Sequence, residues 1–185
     1  MHNEFSINTR NYLNCFEKIL NNMIQGMTCV NLTDSVSRNF IEQMIPHHEA
    51  AIEMCKNLLQ YTTFIPLQTI AQDIICEQTK SIANMRSVLR GCSSCQNSPA
   101  ELCQYEQRFS RISQTMFAEM RNACAVNSID ANFIREMIPH HEGAIRMCEN
   151  ALCQGVCSDL VPICKAIIAS QSEGIRQMEC LLKQL

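Results

Sequence analysis

The chain has 185 residues, enough for one sizeable hydrophobic core. Its net charge of -3 gives no basic surface for nucleic acid or anionic lipid, and no run nears the roughly 18 apolar residues of a membrane span. Five Gly, five Pro and no Trp favour long helices over turn-rich sheet.

The opening "MHNEFSINTR" has no basic segment followed by an apolar one, so no signal peptide is visible and a cytoplasmic location is expected, extracytoplasmic if the chain is a processed form. The 13 Cys are an odd number and read mostly as thiols.

Residues 10–92 and 103–185 align without gaps at an offset of 93, with 29 of 83 positions identical. A single domain, 1–185, built from two copies of one unit is therefore expected. Each unit reads as three helices. The first carries Phe16, Ile19, Met23 and Met27, matched by Phe109, Ile112, Met116 and Met120. "SPAE" at Ser98–Glu101 is a capping box opening the second copy.

The second helix spans Ser37 to about Leu59, with Ser37 and its counterpart Asp130 as expected N-caps. Ile41, Met44, His47, His48, Ala51, Met54 and Cys55 fall on one face, as do Met137, His140, His141, Met147 and Cys148 in the second copy. Pro46 and Pro139 lie inside these helices and are expected to kink them just before the histidines. The third helix runs from about Thr63 to Arg90, matched by Ser158 to Lys183. Its inward face is read as Ile75, Gln78, Ile82, Met85 and Leu89, and as Ile168, Gln171, Ile175, Met178 and Leu182. Between the copies, "GCSSCQNSP" is a loop whose Cys92 and Cys95 form a C-x-x-C, either a redox pair, an auxiliary soft-metal site or neither.

Ten of the eleven Met and four of the five His recur at the 93-residue offset, whereas only Cys55 and Cys148 match among the cysteines. Met is the core residue most freely exchanged for Leu or Ile, so its retention beside paired imidazoles points to metal ligation. In bundle iron sites a Glu precedes the His by three positions; here Met44 and Met137 stand there. Thioethers select Cu(I), with Ag(I) as a mimic, over iron, zinc and harder ions. Glu49 and Glu142 lie about 100° from His48 and His141 around the helix and are expected to face water.

The phrase M-I-x-H-H-x-x-A-x-x-M, followed by Q-x-x-x-I-x-x-M and repeated, resembles a bacterial family catalogued as domain of unknown function 305. The resemblance implies a ferritin-like, all-α helical bundle of two tandem three-helix repeats with pseudo-twofold symmetry. It also implies copper binding and resistance. Implied ligands are Met44, His47, His48, Met54 and Met85, with Met137, His140, His141, Met147 and Met178 in the second copy. The family's usual Glu after the motif Gln is replaced by Ser81 and Gly174, its Trp by Val88 and Leu181, and its Ala by Cys55 and Cys148.

The expected function is binding of Cu(I) for sequestration, relay or resistance, with a copper exporter or metallochaperone as partner and an oligomer allowed. No nucleophile–base pair, phosphate loop or dinucleotide fingerprint supports a hydrolase or dehydrogenase. Two alternatives stand beside this reading: a redox enzyme with a His/Met centre, and a metal-free helical scaffold. Replacing His47 and His48 is expected to weaken a first site and leave a second largely intact.

Overall fold

The computed structural model describes residues 5–185, so the reading of the extreme N-terminus rests partly on residues outside that range. Six helices and no strand are found among the described residues: α1 (Ile7–Thr28), α2 (Val36–Leu59), α3 (Ile65–Cys92), α4 (Pro99–Arg121), α5 (Ile129–Leu152) and α6 (Leu160–Leu182). The fold is all-α. None of these helices is long and apolar enough to cross a membrane.

Four of the six helix starts carry a serine cap, at Ser6, Ser35, Ser98 and Ser128. Ser35 and Ser128, which are 93 positions apart, cap α2 and α5 by accepting bonds from Arg38 N and Ala131 N. Ser37 and Asp130 are therefore not the caps: both lie inside the first turn, and Ser37 Oγ instead accepts from Cys157 N at 2.8 Å. The Ser98 capping box opens α4 as its sequence implies, with Pro99 at the first helical position. α3 begins at Ile65, with Pro66 in its first turn, and ends at Cys92.

α2 and α3 pack as one hairpin, α5 and α6 as another, and the hairpins meet through α2 against α5 and α3 against α6. Those four helices close a ring. α1 covers α2 from outside the ring, and α4 covers α5. The stripe Tyr12, Phe16, Leu20, Met23 and Met27 of α1 follows the helical period and is buried, so this cover is apolar rather than a solvated arm. Burying side chains of this size stabilises the fold by about 1.5–3 kcal/mol each.

The inward faces of α3 and α6 differ in part from the sequence reading. Gln78, Ile82, Met85, Gln171 and Met178 are buried, whereas Ile75, Leu89, Ile168, Ile175 and Leu182 are half-buried. Ile70, Ile74 and Ile167 take the inner positions instead. The reason is the second contact each helix makes: α3 and α6 face both their hairpin partner and each other, which widens the buried stripe beyond one period line.

Neither internal proline breaks its helix. α2 and α5 run continuously through Pro46 and Pro139. A β-carbon placed on Gly26 would stand 2.7 Å from Pro46 Cβ, so a glycine lets α1 approach the proline ring. Cys92 takes a partner that the sequence reading did not name. It is bonded to Cys157, 65 residues later, and not paired with Cys95. The disulfide ties the end of α3 to the loop before α6, while Cys95 remains free.

Candidate metal centre

Where α2 crosses α5, the two repeats exchange identical interactions. The imidazoles of His47 and His140 stack with centroids 3.7 Å apart and planes 27° from parallel. His47 Nε2 donates to the carbonyl of His140 at 3.2 Å, and His140 Nε2 donates to the carbonyl of His47 at 3.1 Å. This reciprocity places the local twofold axis between the two rings.

A carbonyl only accepts, so each Nε2 carries the proton and each Nδ1 keeps a lone pair. Those two Nδ1 atoms are buried and have no hydrogen-bond partner, and the same is true of Nδ1 of His48 and His141. A buried, unpaired acceptor costs about 1–3 kcal/mol, and each ring of the stacked His47–His140 pair carries one. His48 lies 5.8 Å from His47 and His141 lies 5.9 Å from His140, centroid to centroid.

The four rings are neutral at physiological pH. Burial pushes His48 down to about 3, with the neighbouring His140 adding to the effect. Burial lowers His140 to about 4, opposed by its bond to the His47 carbonyl. His47 and His141 lie well below the usual imidazole range, again chiefly through burial and then through the other rings. Neutral imidazoles with free lone pairs are the form that ligates metals.

All ten repeated methionines are buried: Met23, Met27, Met44, Met54 and Met85 in the first repeat, and Met116, Met120, Met137, Met147 and Met178 in the second. Cys55 and Cys148 are also buried, as neutral thiols. Burial pushes both thiols up, and the neighbouring Cys164 adds to the rise at Cys148. A thiolate ligand there must be generated by the metal itself. Among the described residues, no three His, Cys, Asp or Glu side chains form a ready-made metal-binding group. Glu49 and Glu142 point outward to Arg86 and Arg146.

One inward carboxylate was missed. Glu136 is 3% exposed and accepts a 2.6 Å bond from the Tyr12 hydroxyl. Its equivalent, Gln43, accepts a 2.7 Å bond from Tyr105. These two bonds lock each outer helix to the inner helix of the opposite repeat. Burial raises Glu136 to about 8, with the Tyr12 bond opposing the rise. Four asparagines add further pins. Asn39 and Asn132 bridge the backbones of Thr33 and Val126, and Asn57 and Asn150 donate to the carbonyls of Tyr12 and Tyr105. Tyr12/Tyr105 and the Asn pairs are identities at the 93-residue offset, so their signal was present in the sequence.

Comparison with solved structures finds the same fold. CopM in the Cu(II)-bound form is 26% identical, with a TM-score of 0.61, covering 80% of this chain and 96% of CopM. CopM in the Ag-bound form, obtained by soaking, is 27% identical with a TM-score of 0.60, covering 84% and 98%. A DUF305 fragment from Deinococcus radiodurans is 23% identical with a TM-score of 0.60, covering 81% and 97%. Comparison with curated proteins finds no match. The family described as Domain of unknown function (DUF305) matches over residues 20–89 and 37–182. With the paired His–His helices crossing at its centre, the chain belongs to this family.

Proposed function

We propose that the protein binds Cu(I), and Ag(I) as its mimic, at one centre astride the α2–α5 crossing. The observation that carries this reading is the set of four buried Nδ1 atoms without partners. A soft cation relieves that cost, and a proton cannot do so while the rings remain buried. The buried thioethers from which its sulfur ligands would be drawn are Met44, Met54 and Met85 with Met137, Met147 and Met178, and Met23, Met27, Met116 and Met120 on the outer helices. Thioethers carry no charge and prefer soft ions, so Cu(I) is favoured over zinc or iron. The fit is good, because the His/Met faces carry no ionised carboxylate and their rings are already deprotonated.

Structures of CopM with silver and with Cu(II) support a copper-related role. The role we assign is sequestration or relay, with a copper exporter or metallochaperone as the exchange partner. The redox state of Cys92 and Cys157 follows the compartment. With their bond formed, the protein works where disulfides persist; a cytoplasm would hold both as thiols.

Because His47 and His140 share one stack, this reading couples the two repeats in one centre, where the sequence reading expected separable loss. The test is anaerobic Cu(I) titration against a competing chelator, with stoichiometry from elemental analysis. Tight binding that collapses when all four histidines become Ala is expected. Binding that survives the four substitutions would move the metal to the cysteines and end this reading.

A further inference from the structure

The seam between α3 and α6 has two mouths related by the local twofold, and they are not alike. One is a cavity of about 150 Å³ reaching inward to His141, past Gly174. The other is about 70 Å³ and does not reach a histidine. Ser81, the counterpart of Gly174, explains the difference: its hydroxyl lies 3.0 Å from His48 Nε2 and closes that ring off. At Gly174 a β-carbon would stand 3.0 Å from both Cδ2 and Nε2 of His141, so only a glycine leaves that ring edge open.

The larger cavity has the chemistry of a cation path. Gln78 and Gln171 line it, are 2% and 3% exposed, and each keeps a buried side-chain oxygen without a hydrogen-bond partner. Asp73 and Glu77 stand at its rim and form no ion pair among the described residues; Glu173, also at the rim, is engaged by Arg176. The counterparts of Asp73 and Glu173 at the smaller mouth are Ala166 and Lys80. Glu77 also borders that mouth, where Lys80 offsets it. One mouth is therefore acidic and open, and the other is sealed and carries a cation.

We propose that small soft cations reach the buried histidines through the Gly174 mouth alone. Asp73 and Glu77 gather the ion from solvent. The amide oxygens of Gln78 and Gln171 replace part of its hydration, and His141 Nε2 is the first imidazole atom it meets. Gly174 is the gate-setting residue and Ser81 the plug of the closed side. This inference rests on the metal-binding reading above.

The probe is Ag(I), which needs no reductant, followed by stopped-flow loading of the full chain. Gly174→Ser should slow loading at least tenfold while final stoichiometry is unchanged, because serine can close on His141 as Ser81 closes on His48. Ser81→Gly, which removes a plug and crowds nothing, should accelerate loading and restore speed to the Gly174→Ser chain. Asp73→Asn with Glu77→Gln should slow loading and flatten its dependence on ionic strength. Loading rates that ignore both Gly174→Ser and Ser81→Gly would overturn the path.

A second readout is independent of metal: deuterium exchange at the imidazole C2 position, resolved by mass spectrometry. His141 should exchange faster than His48, and Gly174→Ser should bring the two together. Equal exchange in the unaltered chain refutes the open mouth even if metal binds. Unequal exchange with no Ag(I) uptake upholds the mouth and defeats the metal-binding reading instead.

Discussion

The two repeats share a backbone plan yet differ where burial makes differences expensive. In the first, the tyrosine of the opposite outer helix meets Gln43; in the second it meets Glu136. In the first, a serine hydroxyl lies against the second histidine; in the second, a glycine leaves that ring facing a cavity. Where α2 meets α5 the difference vanishes, and His47 and His140 make the same stack and the same pair of bonds. Symmetry is kept at the axis because each residue there answers to its own copy. Away from the axis each repeat is free to specialise.

The strongest way to break this comparison is to treat the axis as if it belonged to one repeat. His47→Ala and His140→Ala should each lower Cu(I) affinity at least tenfold and by similar factors, measured by chelator competition. A loss confined to half the bound metal would show that the stack is two separate sites.

Acid should unfold the metal-free protein through the same rings. Their folded pKa values lie below the unfolded value near 6.5, so the unfolded chain binds more protons between the two. The stability they contribute is present above pH 6.5 and is lost as pH falls through that value toward about 3 for His48 and 4 for His140. At pH 5 the cost is up to about 2 kcal/mol for each histidine. Urea denaturation at pH 7 and pH 5 measures it. A midpoint that does not fall would mean the rings are protonated in the native state.

Glu136 gives the opposite sign and sharpens the contrast with Gln43. Its folded pKa is raised to about 8, so the unfolded chain loses the proton first and stability declines as pH rises from about 4.5 toward 8. Glu136→Gln copies the geometry already present at Gln43 and should remove that decline. The variant should gain on the order of 4 kcal/mol at pH 8 and little at pH 4.5. Gln43→Glu should introduce the decline into the other repeat. Equal slopes in all three proteins would refute the buried-carboxylate account.

The smallest effect is expected at the thiols. Cys55→Ala should reduce Cu(I) affinity less than either axial histidine, because burial holds that thiol protonated and ligation must first expel its proton. Cys148 has Cys164 beside it where the first repeat has Ala71, so Cys148→Ala tests whether a second sulfur changes the outcome. A drop at Cys55 larger than at His47 would make sulfur rather than imidazole the principal anchor.

Helical class, the capping box at Ser98 and the inward faces of α2 and α5 are legible in the sequence alone, because period, caps and turn residues act over a few neighbouring positions. The buried His/Met face follows from the same local rule. Tertiary structure decided what lies opposite that face. Which nitrogen of His47 is free depends on a carbonyl 93 residues away. Whether Cys92 pairs with Cys95 or Cys157 depends on where the loop before α6 comes to rest. Glu136 has no role legible in the sequence, because its partner Tyr12 comes from the other repeat. The glycine at 174 gained meaning only once His141 was found against it. Spacing along a helix dictates direction, but partners, protonation and access are properties of the space between helices, which only the assembled bundle defines.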